Sequence, residues 1–590
     1  MKFSSVSRLL VLMHCLLGTH ATFGEINRDL ELDALCATID RTHTIYGKNA
    51  LRSLLAQPIT DLHILEGRQT IIGHLADTTK LHVQLNAALK AFNKQEPHFE
   101  RIMQPASDIE TAALENFYFS SEYCKDWNYS PARLELGYAG HCANLCSSMV
   151  QHALFFAIFT GLLEEEHVCP SHPAKDSTHN HKKKDHKHHA HDHKHKSCDH
   201  PSHSHAAPTS FIKALAQTPE FRYAFQLWHG IAQIQELYSI QGIIRADMHC
   251  IKELQIQLMG LARGSRLINQ IHTLIKDHPE LTTHLAHYQH LKNMCSNNNI
   301  SQKLNALLEL LQTPTFKGKA SAFSRIGIIL AAHKLTQEIG HELKPALAAI
   351  GEIDAYASCT QLYNHHISSP YNYSFAHYIT NSTTPSLHAY NFWHPLVTTE
   401  NIQLNSISLG ADNMPRNIIL TGPNACGKST NVKALTLCAY LAQTITIVPA
   451  ERYSQSIYKE IYSSMVVSDK ITEDMSLFVA ELTSAEQLLE KVESLTSDEY
   501  MIIALDELFK STHHEKGQLI AQRLLENLYA SPQIITLVST HFEKLIELAD
   551  AHSDTCANYT VNNFVLEPGI GSPDHSFDIV EKQTISRLLC

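Results

Sequence analysis

The sequence predicts a fold of class α + α/β, in which an all-helical region precedes an α/β domain. Two observations support this prediction. In the first half, apolar residues recur with helical spacing, as at Leu304, Leu307, Leu308 and Leu311. In the last third, short continuous apolar runs typical of strands buried on both faces end in polar, chemically reactive residues. We therefore expect a helical region followed by a parallel sheet.

The composition is that of a folded protein. The chain has 590 residues, of which 44% are hydrophobic and 18% charged, so it is long enough for two or three domains and is not a disordered chain. Its formal net charge is −12. Overall acidity neither requires nor excludes a local basic face that binds nucleic acid.

The strongest motif lies at residues 417–430, where an apolar strand leads into Gly-x-x-x-x-Gly-Lys-Ser. Gly422 and Gly427 allow the backbone N–H groups to wrap around phosphates, and a helix starting near Lys428 would direct its positive end toward them. Lys428 is expected to reach the β- and γ-phosphates, and the Ser429 hydroxyl to complete the shell of a Mg²⁺ ion. The motif predicts binding of ATP or GTP.

Two further predicted strands end in residues that suit hydrolysis. Residues 500–505 form an apolar run followed by Asp506 and Glu507. Asp506 is expected to hold the metal, directly or through water, and Glu507 to polarise the attacking water as general base. Residues 534–539 form the other strand, after which His541 is placed to sense or polarise the γ-phosphate.

In their order and in the residues between them, these elements resemble the ATPase domain of the MutS DNA mismatch-repair family, which is akin to ABC-type ATPases. The resemblance adds Pro423, Asn424 and Thr430 to the phosphate loop. It also implies that Ser476, within a Ser-x-Phe-x-x-Glu segment, reaches the γ-phosphate held by a second subunit. The cofactors that it implies are ATP and Mg²⁺, and the partners are double-stranded DNA and a second copy of the chain, bound through the ATPase domain.

A weaker resemblance extends into the helical half. Thr44, Gly47, Asp61 and Arg68 have spacings similar to the opening of the family's core domain, and residues 345–354 resemble its closing helix. We therefore predict a MutS-type helical core and lever at residues 25–385 and a P-loop ATPase domain at residues 386–590.

The resemblance implies an ATP-dependent DNA-binding clamp that serves mismatch repair or the processing of unusual or damaged DNA structures. Because the core begins close to residue 25, the resemblance leaves no room for the family's N-terminal mismatch-recognition domain. We therefore expect the protein to bind matched and mismatched duplexes with equal affinity.

Three departures from the family pattern affect the expected site. Ile402 stands where the resemblance leads us to expect an aromatic residue that stacks on adenine, so base affinity is expected to be low. Cys426 places an oxidisable thiol in the phosphate loop. Residues 509–511, Phe-Lys-Ser, replace a Gly-Arg-Gly type stretch and are expected to stiffen a segment that the family uses at its subunit interface.

The N-terminal segment predicts a cellular location that differs from the cytoplasm expected for an ATPase. Residues 1–24 carry Lys2 and Arg8, then a short apolar run and the small-residue sequence Thr-His-Ala ending at Ala21, which together resemble a secretory signal or anchor. A start at Met13 would remove the charged region and is the alternative. ATPase chemistry favours the cytoplasm, whereas this segment favours export or membrane anchoring, so the two indications conflict.

Two segments of the helical half are unusual. Residues 143–163 carry no formal charge and are long enough to span a bilayer, but we expect a buried helix because this stretch contains Asn144, Gln151 and His152. Residues 167–208 contain 13 of the 41 histidines and are predicted to be a disordered insertion. Such a segment binds Zn²⁺ or Ni²⁺ collectively, or is a solvated loop without a metal function.

These segments define an alternative function. The chain would be a membrane-associated or exported metal-binding protein that uses a MutS-like ATPase as a conformational switch. The two functions predict different cellular locations. A mature N-terminus near Thr22 in the native protein would therefore argue against a role on DNA.

Overall fold

The computed structural model describes residues 26–571 apart from residues 105–113, 165–217, 321–324, 367–370, 381, 399–401, 411–413 and 466–476. The signal-like segment at residues 1–24, the histidine-rich insertion at residues 167–208, and Ser476 lie outside the described residues. The predictions made for them stay predictions.

The first half of the described chain is helical, as predicted. Its α-helices are α1 (Leu32–Ile39), α2 (Ile45–Ala56), α3 (Leu62–Asp77), α4 (Thr79–Asn93), α5 (Glu96–Met103), α6 (Pro131–Glu164), α7 (Pro219–Ile275), α8 (Pro279–Thr282), α9 (Tyr288–Ser296), α10 (Gln302–Leu311), α11 (Ile326–Ile339) and α12 (Lys344–His366). Short 3₁₀ helices lie at Glu122–Tyr129, Pro314–Phe316 and Gly340–Leu343. The predicted leucine stripe of α10 is buried.

The first helices begin at residues whose side chains cap them. The Thr44 hydroxyl accepts a hydrogen bond from the Gly47 N–H (2.8 Å), and the Asp61 carboxylate accepts two from the following turn. Buried Asp354 in α12 accepts bonds from the Thr44 N–H (2.8 Å) and hydroxyl (2.7 Å). A Cβ at Gly47 would lie 2.1 Å from this carboxylate, so glycine is required for α2 to approach α12.

The chain divides into two compact units. One comprises the described residues within Met1–Met103, Gly260–Asn305 and Ile339–Cys590, and the other those within Gln104–Met259 and Ala306–Glu338. The start and end of the helical half thus share a unit with the α/β region. The division cuts through the helical region that the sequence assigned to one domain at residues 25–385.

In the second unit, α6 and α7 are joined by polar contacts. The Ser148 hydroxyl donates to Glu236 (2.5 Å), and His141 lies 3.3 Å from Asp247. The expectation of a buried helix at residues 143–163 is wrong in part: the segment is helical, but Val150 and Leu154 are 56% and 53% exposed. Among the helices that the structure describes, none combines the length and apolar character needed to cross a membrane.

The α/β region contains two sheets. Its strands are β1 (Ser374–Ile379), β2 (Leu387–Phe392), β3 (Asn405–Leu409), β4 (Asn417–Thr421), β5 (Ile447–Val448), β6 (Arg452–Ser456), β7 (Tyr458–Ser464), β8 (Tyr500–Asp506), β9 (Ile534–Ser539), β10 (Cys556–Asn562) and β11 (Val565–Pro568). The helices are α13 (Lys428–Ala442), α14 (Leu477–Glu493), α15 (His514–Tyr529) and α16 (Glu543–Ala551). Because β1 pairs with β6, the sheet region begins before the predicted boundary at residue 386.

The larger sheet has the order β11-β10-β4-β9-β8-β7, and all neighbours are parallel except β10 and β11. The smaller sheet has the order β3-β2-β6-β1-β5. Helix α13 lies against strands of both sheets, which explains why nearly all of its residues are buried. Strands β4, β8 and β9 are buried along almost their whole length, as their apolar sequences predicted.

The C-terminal end of α13 is attached to the first helices of the chain. The Tyr440 hydroxyl donates to the Leu55 carbonyl (2.8 Å), and the Gln443 side chain donates to the Ile59 carbonyl (3.1 Å). The Arg68 guanidinium donates to the carbonyl of Thr444. The helix that starts at the phosphate loop therefore ends on the helical core.

The residues just before α1 are held against the larger sheet. The Asp29 carboxylate, 1% exposed, accepts hydrogen bonds from the Ser463 hydroxyl (3.0 Å) and the Met465 N–H (2.9 Å) at the end of β7. Glu31 pairs with Lys433 of α13 at 2.9 Å. Residues 26–31 are thus an integral part of the unit that contains the α/β region.

The change Asp29→Ala is expected to lower the free energy of unfolding by about 2–3 kcal/mol, because it leaves a buried hydroxyl and a buried N–H without their acceptor. Asp33→Ala is the matched control, since Asp33 is exposed in the first turn of α1. Urea unfolding of both variants measures the difference. Equal unfolding midpoints would contradict the anchoring role of Asp29.

Candidate nucleotide-binding site

The phosphate loop joins β4 to α13 through two glycines that have left-handed backbone conformations. The φ angles are +138° at Gly422 and +105° at Gly427, which side chains disfavour. A Cβ at Gly427 would lie 2.4 Å from the Phe564 ring, and one at Gly422 would lie 2.6 Å from the Val561 carbonyl oxygen. Both the conformation and the space therefore require glycine, as the motif predicted.

Lys428 is buried inside this loop at the first position of α13. Its Nζ donates hydrogen bonds to the carbonyl oxygens of Gly422 (2.9 Å) and Pro423 (2.8 Å). Burial lowers the pKa of Lys428, while Cys426, Glu507 and Asp506 act in the opposite direction. The ammonium group thus lies at the N-terminus of a helix, where the helix dipole also favours an anion.

The other residues of the loop differ in exposure. Ser429 and Thr430 are half-buried in the first turn of α13, and Asn424 is exposed. Cys426 is buried at 8% exposure, and burial raises the pKa of its thiol. Reaction of a thiol with oxidants requires access and the thiolate form. The structure therefore argues against the reactive thiol expected from the sequence.

Two carboxylates lie at the end of β8, as predicted. Asp506 pairs with Ser539 of β9 in the parallel ladder, and the Ser539 hydroxyl donates a hydrogen bond to the Asp506 carboxylate. Glu507 has φ +47°, a left-handed conformation that costs roughly 1–3 kcal/mol in a non-glycine residue and is common at functional sites. Its N–H donates to the Ser539 carbonyl (3.0 Å), so the strained turn is fixed to β9.

His541 follows β9 and lies beside Glu507. Its Nε2 is 3.5 Å from Glu507 Oε1, while Lys510 is 3.3 Å from the other carboxylate oxygen. Burial lowers the pKa of His541, and the charge of Lys428 acts in the same direction, against Glu507 and Asp506. The N–H of Thr540 donates to the Leu420 carbonyl of β4 (3.1 Å), which fixes the histidine segment next to the phosphate loop.

A small cavity lies beside the first turn of α13. Ile402, Phe564, His394, Thr430 and Asn431 contribute to its lining, and its volume is about 20 Å³, enough for roughly one water molecule. Burial lowers the pKa of His394 to about 4, so this imidazole is neutral at pH 7. Ile402, only 8% exposed, therefore packs within a neutral lining.

Sequence reasoning missed the hairpin turn that supports the loop. Asn563 and Phe564 between β10 and β11 both have positive φ, as in a type I′ turn. The Phe564 N–H donates to the Cys426 carbonyl (2.7 Å), and its carbonyl accepts from the side chains of Asn405 (2.9 Å) and Asn431 (3.2 Å). The Asn-Asn pair at residues 562–563 is a turn signal, but its contact with the loop depends on tertiary structure.

The segment after Glu507 is folded tightly against α14 and α15. Phe509 has φ +51° and is buried. A Cβ at Gly517 in α15 would lie only 2.7 Å from the Phe509 carbonyl oxygen, so the two segments are in close contact. The Ser511 hydroxyl donates to Glu481 of α14. These contacts hold the Phe-Lys-Ser segment against both helices, and its stiffening stays a prediction.

The structure therefore brings Lys428, Asp506, Glu507 and His541 to one edge of the larger sheet, with Ser429 in the adjacent turn of α13. The glycine-lined loop and the buried lysine suit a triphosphate, and a hydroxyl and a carboxylate are the oxygen ligands that Mg²⁺ prefers. A parallel sheet with this loop after β4 and a carboxylate at the end of β8, the second strand from β4, defines a P-loop nucleoside-triphosphatase domain.

Comparison with known families identifies the class more closely. Models of MutS domain V and MutS domain III match residues 418–567 and residues 24–220. The chain belongs to the MutS family and contains its domain III, the core, and its domain V, which is an ATPase domain. This agrees with the resemblance seen in the sequence.

Individual relatives are DNA mismatch repair proteins. The chain is 27% identical to MSH3 of Arabidopsis thaliana over 252 residues, 32% identical to human Msh3 over 163 residues, and 33% identical to MutS of Leuconostoc mesenteroides over 136 residues. These stretches cover 42%, 28% and 23% of this chain, but 22%, 14% and 15% of the relatives. The matched part thus spans less than a quarter of each relative.

The geometry predicts that Glu507→Gln keeps nucleotide affinity but lowers the hydrolysis rate by roughly 10²-fold or more, because an amide cannot accept the proton of the attacking water. Phosphate release and the binding of a fluorescent ATP analogue are measured in parallel. Glu515→Gln, an exposed change in the first turn of α15, is the matched control. A hydrolysis rate within threefold of the control would exclude Glu507 as the general base.

Proposed function

We propose that this protein is an ATP-dependent DNA-binding clamp of the MutS family that acts in mismatch repair or in the processing of unusual or damaged DNA structures. One observation carries the proposal: the predicted catalytic residues meet at the phosphate loop, in the same compact unit as the first and last helices of the core. The hydrogen bonds from the C-terminal end of α13 to α2 and to the segment that follows α2 support coupling between nucleotide binding and movement of the core. The names of the relatives support DNA as the ligand.

Each site residue has a proposed role. Gly422, Gly427 and the loop between them hold the phosphates through backbone N–H groups, and Lys428 leaves its carbonyl partners to bind the β- and γ-phosphates. Ser429 and Asp506 hold Mg²⁺, which supplies charge neutralisation on the phosphate oxygens.

Glu507 accepts the proton of the attacking water. His541, beside Glu507, orients that water or contacts the γ-phosphate. Its lowered pKa favours the neutral imidazole, which is able both to donate and to accept a hydrogen bond.

Two copies of the chain are proposed to complete each site. Ser476 directly precedes α14, whose first turns present Leu477 and Val479 at 37% and 41% exposure. Exposed apolar side chains at a helix start suit an interface with another protein surface. The bond between Ser511 and Glu481 fixes this helix to the segment that follows Glu507, so closure of a dimer would be sensed at the catalytic carboxylate.

Mixing two inactive variants tests the shared site. Ser476→Ala is expected to bind ATP without forming a dimer, and Lys428→Ala to lose ATP binding. Their mixture should regain part of the ATPase activity, because one site of a mixed dimer contains both an intact loop and an intact Ser476. The readouts are the ATPase rate against mixing ratio and light scattering. Full activity of Ser476→Ala alone, or of a strictly monomeric wild type, would refute the dimer.

DNA binding is tested with matched and mismatched duplexes of equal length. We expect equal affinities, and a steep fall in affinity as salt rises, because contacts with phosphates dominate sequence-independent binding. Fluorescence anisotropy at several salt concentrations measures both. A mismatch preference above about tenfold, roughly 1.4 kcal/mol, would contradict the equal-affinity prediction. Absence of binding at low salt would contradict the clamp itself and favour the metal-binding alternative.

A further inference from the structure

A cluster of metal-ligating side chains lies outside the nucleotide site, where α3 meets the connection from α7 to α8. His74 is in the last turn of α3, His278 directly precedes α8, and Glu280 is in its first turn. One ring nitrogen of each histidine and one carboxylate oxygen all lie within 4.8 Å of one another. Within the described residues, this is the one group of three or more such side chains with that spacing.

The two imidazoles face each other with the geometry that a shared metal ion needs. His74 Nε2 and His278 Nδ1 are 3.0 Å apart, with ring centroids at 5.0 Å and an angle of 61° between the planes. Two nitrogens bound to tetrahedral Zn²⁺ at about 2.0–2.1 Å each are roughly 3.3 Å apart. Entry of an ion therefore requires the two nitrogens to separate by a few tenths of an ångström and both rings to turn so that their lone pairs point at the ion.

The carboxylate completes the cluster. Glu280 Oε2 lies 3.7 Å from His74 Nδ1, and its side chain is 44% exposed, so it is able to rotate toward an ion. Before an ion enters, the carboxylate beside Nδ1 favours the proton on that nitrogen, so Nε2 of His74, which faces His278, is the nitrogen that the ion meets. The His74 side chain is 20% exposed, so the cluster is accessible to a solvated ion.

The backbone positions of the ligands are fixed by packing. Helix α3 is anchored by buried Leu75 one residue after His74, and α8 is anchored by Leu281 at 2% exposure. The His278 carbonyl accepts bonds from the N–H groups of Leu281 and Thr282, both at 3.1 Å. Such preorganisation limits the entropy lost when the ligands bind an ion.

We propose that His74, His278 and Glu280 bind one divalent transition-metal ion of the Zn²⁺ type, with water as the fourth ligand. The ion joins α3 of the core to the segment that follows the 57-residue helix α7. Its ligand set is softer than the all-oxygen shell that Mg²⁺ prefers, so it is selective against the ion of the nucleotide site. The proposal does not depend on ATP hydrolysis or DNA binding.

The test uses the full-length chain, freed of metal with a chelator and then equilibrated with Zn²⁺ in a metal buffer. In the wild type, hydrogen exchange of the amides at residues 70–78 and 276–285 is expected to slow when Zn²⁺ is added. The double variant His74→Gln/His278→Gln should lose this protection and bind one tight ion fewer per chain. Glu280→Gln should weaken Zn²⁺ binding, because a neutral amide is a poorer metal ligand than a carboxylate.

The matched control is the neighbouring pair His63 and His284, whose rings are 5.9 Å apart but which have no carboxylate in the cluster. His63→Gln/His284→Gln should keep both the ion and the protection. Deletion of residues 171–205 removes histidines that would otherwise bind additional ions, so the tight ion should remain in the deleted chain. Exchange and stoichiometry that are unchanged in the His74→Gln/His278→Gln variant, or loss of all Zn²⁺ on deletion of residues 171–205, would overturn the proposal.

Discussion

The candidate site depends on the register of the parallel strands β4, β9 and β8. Leu420 pairs with Ser539, and Ser539 pairs with Asp506, so the three strands end at the same level. Because carboxyl ends of parallel strands meet at one edge, the phosphate loop, the two carboxylates and the histidine are brought together by backbone hydrogen bonds alone. A slip of one residue would turn Asp506 to the opposite face of the sheet.

The loop itself is held from two sides. The hairpin turn at Phe564 fixes the backbone around Cys426 and Gly427. The side chains of Asn405 and Asn431 hold this turn in place through hydrogen bonds to the Phe564 carbonyl. On the inside, Lys428 donates to the carbonyls of Gly422 and Pro423. Backbone and lysine are therefore positioned before nucleotide arrives, and the cost of ordering them is already met by folding. Binding would exchange the two carbonyl partners of Lys428 for phosphate oxygens.

Helix α13 connects the phosphate loop to the helical core. It begins at the loop and is buried between two sheets. It ends on α2 through Tyr440 and on the connection from α2 to α3 through Gln443. A close-packed helix transmits a displacement because its surroundings have little free volume. Nucleotide-dependent movement at Lys428 would reach the core directly, which gives a physical basis for the coupling that the proposed clamp requires.

The sequence predicted the parts of this arrangement that are contiguous in the chain. The strands ending at Thr421, Asp506 and Ser539 were predicted almost to the residue, because each is an apolar run that ends in a reactive side chain. Phe564 and Asn431 were missed because their role arises from contacts between distant segments.

Two other features could not be read from local pattern for the same kind of reason. Asp29 looks like any acidic residue in the sequence, and its burial becomes visible only when β7 is in place. The prediction that residues 143–163 of α6 are buried was wrong in part. An apolar, uncharged helix is buried only where another surface covers it, and the local sequence does not reveal such a surface.

We propose that one site binds the nucleotide through Lys428 and its metal through Ser429 and Asp506. The most direct test is calorimetric titration of ATP with and without Mg²⁺ into the wild type and into Asp506→Asn. We expect Mg²⁺ to increase ATP affinity in the wild type and to have little effect in the variant. Metal-free binding in the variant should be at least as tight as in the wild type, because the change removes a negative charge beside the phosphates. An equal Mg²⁺ dependence in the two proteins would contradict the claim.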